Sequence, residues 1–171
     1  DRRVIECCAS ASVRFEQVPQ NGVIQKLNDR DAWSKRWHNF MLGDVVTLNA
    51  QPSNLLIRSD ASPGPGYFGL SSDHNPNIQR GGRSQALELL SSFKKKRGQY
   101  YSREMSSPVS AFESCSRLSP HYAFGTVSVR EVFQNIQRLR VQLRENRSSS
   151  NVAWARSMSS FASRLRWHCH F

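Results

Sequence analysis

The chain has 171 residues, 38% of them hydrophobic and 10% aromatic, and a formal net charge of +11. That length suits one ordinary domain or two very small ones. The aromatic content argues against a wholly disordered chain, and no apolar run reaches the roughly 18–20 residues that span a bilayer.

All of the net charge lies in the second half. Residues 1–79 hold eight Lys/Arg and eight Asp/Glu, whereas residues 80–171 hold sixteen and five. Thirteen of those sixteen cations are arginines, and no acid follows Glu145. An Arg-dominated half beside a neutral half points to a polyanionic partner. The chain begins at Asp1 rather than Met, as expected of a chain processed from a precursor. Cys7, Cys8, Cys115 and Cys169 allow three pairings as two disulfides. The adjacent Cys7–Cys8 pair and the chain length favour free thiols, and an intracellular location is the favoured expectation.

In chain order, residues 4–27 read as one or two short strands. Val13 and Phe15 alternate with polar neighbours, and Pro19-Gln20-Asn21-Gly22 is a turn signal before Val23-Ile24. A helix is predicted near 29–42, with Trp33, Trp37, Phe40 and Met41 on one face and Gly43 just past its end. That stripe reads as packing surface rather than as an exposed base-stacking patch. Val45-Val46-Thr47-Leu48 and Leu55-Leu56-Ile57 read as two further strands. Residues 59–82, punctuated by Pro63-Gly64-Pro65-Gly66 and Gly81-Gly82, form the candidate linker.

Gln51-Pro52-Ser53-Asn54-Leu55-Leu56-Ile57, followed by Tyr67-Phe68-Gly69-Leu70, resembles a protein-kinase catalytic loop and its D-F-G segment. The likeness covers about two dozen residues. Asn49 stands where that family has its catalytic Asp, Gln51 replaces a Lys, and Tyr67 replaces the metal-binding Asp. These residues argue against phosphoryl transfer, so no kinase activity is carried over.

The second predicted helix, 84–97, has Ser84 as its cap and Ala86, Leu87, Leu90 and Phe93 as its apolar stripe. Lys94, Lys95, Lys96 and Arg97 close it; they complement the helix dipole and are candidate phosphate contacts. Residues 99–127, rich in Ser, Tyr and Pro, read as irregular. The third helix, 128–147, opens on the capping box Ser128-x-x-Glu131. Val129, Val132, Ile136, Leu139 and Leu143 follow at spacings of an a/d seam. That seam reads first as packing on the chain's own domain and second as a partner-helix surface. Arg130, Arg138, Arg140, Arg144 and Arg147 cover much of its remaining surface. The fourth helix, 151–167, is capped by Asn151, with Trp154, Met158, Phe161 and Leu165 in line and Arg156, Arg164 and Arg166 elsewhere.

His168-Cys169-His170 lacks the ligand spacing of a zinc site. No G-x-S-x-G elbow, P-loop or G-x-G-x-x-G turn is present. No catalytic residue, metal or cofactor is therefore assigned, and the chain is read as non-enzymatic.

The expected fold class is α+β, mainly helical, with a small β element in the N-terminal half. Residues 1–79 and 80–171 form either two modules or one single domain. The leading functional expectation is a basic structural protein of a ribonucleoprotein or capsid-like assembly, binding nucleic acid, RNA foremost, through the phosphate backbone. Its candidate contacts are Lys94, Lys95, Lys96, Arg97, Arg138, Arg140, Arg144, Arg147, Arg156, Arg164 and Arg166. The alternative is a protein-assembly subunit docking through helices 128–147 and 151–167, or self-associating through them. The third is a peripheral binder of anionic membrane surfaces.

Overall fold

Helical periodicity in the second half sets the frame. Val129, Val132, Phe133, Ile136 and Leu143 lie on one stripe of α7 (Val129–Glu145). Ala155, Met158, Phe161, Ala162 and Leu165 do so on α8 (Ser149–His170), and all ten residues are buried. Only residues 146–148 join the two helices, so they fold back as an antiparallel hairpin and close these stripes on each other. Burying each large apolar side chain there contributes roughly 1.5–3 kcal/mol. The computed structural model describes residues 2–18, 22–24, 27, 29–47, 61–71, 75, 78–146 and 148–170.

Both hairpin helices start on a serine. The Ser128 hydroxyl accepts the Glu131 N–H at 3.0 Å, the first half of the expected capping box. The Ser148 hydroxyl accepts the Asn151 N–H at 3.2 Å, so Ser148 takes the capping role expected of Asn151.

The other elements pack on this hairpin. α2 (Arg30–Leu42) lies against α7, with Trp37 fully buried and its ring edge-on to Phe133 at 5.0 Å. The Gln134 amide donates to the Met41 and Gly43 carbonyls at 3.0 and 2.7 Å, closing the end of α2. α3 (Arg83–Lys95) runs to Lys96, where the chain bends into a 3-10 turn (Arg97–Tyr100) and the single-turn α4 (Tyr101–Glu104). These cross α8. Ser157, almost fully buried, donates to the Gln99 carbonyl at 2.9 Å and accepts the Ser102 N–H at 3.3 Å. Phe93, Tyr101 and Phe161 form an aromatic cluster with centroids 4.7–5.7 Å apart. Gly98 sits over it with no room for a side chain: a Cβ there would stand 2.7 Å from Met158 Cε and 2.8 Å from the Phe93 carbonyl oxygen. α5 (Ala111–Ser114) and α6 (Ser119–Ala123) are single turns that carry the chain to α7. Trp33, Trp37 and Met41 of α2 belong to the same core as α3, α7 and α8, so the two halves of the sequence share one hydrophobic interior.

The expected small β element is corrected: no strand is present among the described residues, and the class is helical rather than α+β. Residues 4–10, the start of the stretch 4–27 expected to form one or two strands, belong instead to α1 (Arg2–Ser10), stapled by an Arg2–Glu6 pair at 2.9 Å. Val4, Ile5, Cys8 and Ala9 already follow helical spacing. Val13 and Phe15 do alternate, but both are exposed, and among the described residues no neighbouring strand pairs with them. An isolated extended segment gains nothing from ladder hydrogen bonds. Val45–Thr47 is irregular, with Val46 exposed. Leu48, the expected strand Leu55–Ile57 and the kinase-like stretch Asn49–Ile57 lie outside the described residues; Tyr67 and Phe68 sit on a 3-10 turn (Pro65–Phe68).

Three expected helices are found within a residue or two at most ends, but details differ. Gly82, not Ser84, precedes α3, and no side chain caps it. Leu87 is exposed, and Leu89 packs on the core in its place.

Replacing Gly98 by Ala is expected to cost about 1–3 kcal/mol through overpacking, seen as a lower urea midpoint with an unchanged slope. Stability is also expected to fall in alkali. Burial pushes the Tyr101 phenol up to about 12 and also raises Tyr122, Cys115 and Cys169. The unfolded chain therefore releases those protons first, and folding loses ground as pH climbs above the ordinary thiol and phenol values, 9.0 and 10.0. Urea melts at pH 8 and about 10.5 measure the loss, and Tyr101→Phe should shrink it.

Candidate nucleic-acid interface

A polyanion can use only the cations that the fold leaves uncommitted. Several of the arginines are spent on the fold itself. Arg97 is half-buried beneath the end of α3, and its guanidinium donates to four backbone carbonyls: Leu89 at 3.0 Å, Ser116 at 3.3 Å, Glu113 at 3.5 Å, and Cys115. Its Nε donates to the Ser92 hydroxyl at 3.0 Å. One planar fork thus ties α3 to the segment after α5, a geometry that Lys cannot reproduce. Burial, followed by nearby Arg117, lowers its pKa. Arg166 donates to Ser34 at 3.1 Å and lies 5.5 Å over the Trp37 ring. Arg130, which is not among the sequence candidates, lies 4.2 Å over Phe40 and donates to the Asp44 carbonyl at 2.8 Å.

The remaining candidates fall into separate patches. In the first, Lys94 and Lys95 of α3 line a groove of about 300 Å³ with Leu87, Ser91, Asn135 and the acid Glu131, and the charge of Arg138 of α7 acts on Lys94. Lys94 donates to Asn135 Oδ1 at 2.8 Å. Its pKa is lowered, chiefly by burial and then by Arg138 and Lys95. Two like charges thus already crowd this ammonium, and an arriving anion would relieve them. Lys96, at the bend after α3, is exposed.

The second patch lies on the outer side of the hairpin. Arg144 and Arg156 flank a groove of about 360 Å³ with Leu143, Val152, Ala155 and Ser159. Arg140 adjoins it: its pKa is lowered by burial and then by Arg144, and it donates to the Gln137 side chain. Arg164 is exposed and stacks 4.4 Å over Trp167 near the end of α8. Arg147 lies outside the described residues.

The five seam residues have a partner already. Val129, Val132, Ile136 and Leu143 are buried and Leu139 is partly buried, all within the chain's own core. The apolar stripe of α8 is likewise interior. At the C-terminus, Cys169 is buried facing the Trp37 indole while His168 lies against the Tyr122 ring, so these neighbours diverge. All four cysteines are free thiols.

Among the described residues, Arg83 is the one cation of the second half with a carboxylate partner, a two-point pair with Glu131 at 2.8 and 3.0 Å. That pair raises the Arg83 pKa. Sequence reasoning passed over it because Glu131 was assigned to close the capping box. The available signal was that Glu131 is one of only five acids in this half.

Set beside known proteins, the chain matches no family model, no curated protein and no solved structure.

The division between committed and free cations is testable by stability. Arg97→Ala is expected to cost about 2–3 kcal/mol, since it strips a charged donor from several carbonyls. Lys95→Ala, at an exposed position, should stay within about 0.5 kcal/mol of the parent. Thermal and urea melts of the two variants make the comparison.

Proposed function

We propose that the chain binds nucleic acid, RNA foremost, through contacts to the phosphate backbone. The observation that carries this reading is the shortage of internal partners for the positive charge. Residues 80–171 hold sixteen cations, and among the described residues only Arg83 is paired with an acid. Lys95, Lys96, Arg138, Arg144, Arg156 and Arg164 are exposed and project from several helices. Like charges held this close repel one another, so an anionic partner that spans the patches lowers the free energy of the folded chain. Each phosphate neutralised also releases condensed counterions. Recognition is of backbone and shape, because no base-reading motif accompanies the cations.

The assembly and membrane readings depended on free apolar stripes at 128–147 and 151–167. Those stripes are used inside the hairpin, and no specific observation now favours either reading.

Fluorescence anisotropy on labelled single-stranded RNA, single-stranded DNA and duplex DNA across 50–300 mM salt tests the proposal. Affinity is expected to fall steeply with salt. Removing Arg138, Arg144 and Arg156 together should reduce the logarithmic slope by about 2–3 while leaving the melting temperature nearly unchanged. An unchanged slope in the triple variant, or no binding at 50 mM salt, would overturn the assignment.

A further inference from the structure

Three arginines of the second half lie over exposed rings rather than beside acids. The Arg103 guanidinium stands 4.9 Å over Tyr100, that of Arg117 4.0 Å over Phe112, and that of Arg164 4.4 Å over Trp167. Tyr100 is 48%, Phe112 60% and Trp167 54% exposed. A large ring left in water forgoes the stabilisation that burial gives it. Tyr101, one residue on, shows the contrast, since it packs inside against Phe93 and Phe161.

The stacks stand on neighbouring elements. Tyr100 ends the 3-10 turn and Arg103 belongs to α4, while Phe112 belongs to α5 and Arg117 follows it. The 3-10 turn packs against both α4 and α5. Arg97, its first residue, reaches the Glu113 and Cys115 carbonyls just past Phe112. The same turn and α4 cross α8, which carries Arg164 and Trp167. Burial raises the Tyr101 phenol and the charge of Arg164 partly opposes it, which sets Arg164 near that crossing.

Two acids lie close in sequence, yet neither pairs with these cations. Glu104 accepts the Ser114 hydroxyl, and Glu113 is exposed. Among the described residues, the Arg103 and Arg117 side chains have neither an ion pair nor a hydrogen bond. A guanidinium over a ring keeps its N–H edges for another acceptor. Arg117 carries a further cost. Its φ is +62°, a conformation that disfavours side chains and that glycine adopts freely. The Gln79 amide donates to the Arg117 carbonyl at 2.8 Å, a bond that glycine would accept equally well. Strain borne at a position that glycine could fill points to a use for the side chain.

We infer that this corner of the fold is a base-stacking surface for single-stranded nucleic acid, in which Tyr100, Phe112 and Trp167 take the faces of unpaired bases and Arg103, Arg117 and Arg164 meet the phosphates between them. The inference rests on the nucleic-acid reading above and narrows its ligand to a strand whose bases are free to leave their own stack. Every base has a π-face, so stacking adds affinity without reading sequence. A duplex hides those faces and offers this surface its phosphates alone.

The test is anisotropy of a labelled single strand of about 12 nucleotides against a strand of equal length and charge that lacks its bases. The parent is expected to bind the ordinary strand about tenfold or more tightly than the abasic one. Tyr100→Leu and Phe112→Leu together should close most of that gap. Abasic affinity, the logarithmic salt slope and the melting temperature should stay nearly unchanged, because both rings are exposed. Tyr100→Trp keeps a ring and should keep the gap. Arg117→Gly removes the strain, so it should hold or raise the melting temperature while weakening binding of both strands. Ring-proton spectra give a reading that needs no variant: Tyr100 and Phe112 resonances should move upfield with the ordinary strand and stay in place with the abasic one. Equal affinity for the two strands overturns the stacking surface and leaves backbone binding intact. A gap that persists without both rings, or ring resonances that do not move, also overturns it. Binding of neither strand overturns both readings. A gap that closes in the ring variant, while the Arg138, Arg144 and Arg156 triple variant keeps its salt slope, supports the stacking surface and removes only those three contacts.

Discussion

Closure of α7 on α8 is the constraint on which the rest of the structure depends. Two amphipathic helices joined by three residues bury one continuous apolar seam, and every other core element is placed by reference to it. α2 docks through the Trp37–Phe133 contact and through Gln134, a polar residue of α7 that finishes the helix it touches. The 3-10 turn and α4 dock through Ser157, a polar residue on the inner face of α8 that is almost fully buried. Its hydroxyl meets the backbone of the crossing chain at Gln99 and Ser102. Burying that hydroxyl without partners would be costly, so its hydrogen bonds fix where the crossing occurs.

The arginines divide by environment rather than by position in the sequence. Where a guanidinium finds carbonyls or a ring face, as with Arg97, Arg130 and Arg166, it becomes part of the scaffold. Its planar donors satisfy backbone groups at irregular junctions that no helix can satisfy for itself. Where no such partner lies in reach, the charge stays in water, as with Arg144 and Arg156, and exposed Arg138 reaches only the Gln134 carbonyl one turn back on its own helix. Composition therefore overstates the charge available to a ligand, because part of it is already oriented inward.

Legibility followed the range of the interaction. The helices 29–42, 84–97 and 128–147 could be read because their apolar residues recur at helical spacing and their ends carry local signals, and Ser128 does cap α7. The β element was misread because alternation at Val13 and Phe15 is a local pattern, whereas a strand is defined by a neighbour. The seam of α7 was legible as a seam, but its partner was not: nothing local states that α8 rather than another chain would fill it. Roles set by distant contacts left the least trace. Arg97 sits in a run of four cations that looks uniform, and only the fold brings the carbonyls of Glu113, Cys115 and Ser116 to it.

The short connection between α7 and α8 has a kinetic counterpart. Contacts within the hairpin close a small loop, whereas the Gln134–Met41 contact joins residues 93 positions apart. Loop-closure entropy rises with that separation, so pairing of α7 with α8 is expected to precede the arrival of α2. The expected first loss under stress is α2, which would bare Trp37 to solvent while the hairpin persists. The indole at the centre of the molecule thus doubles as an optical reporter of its earliest step of unfolding.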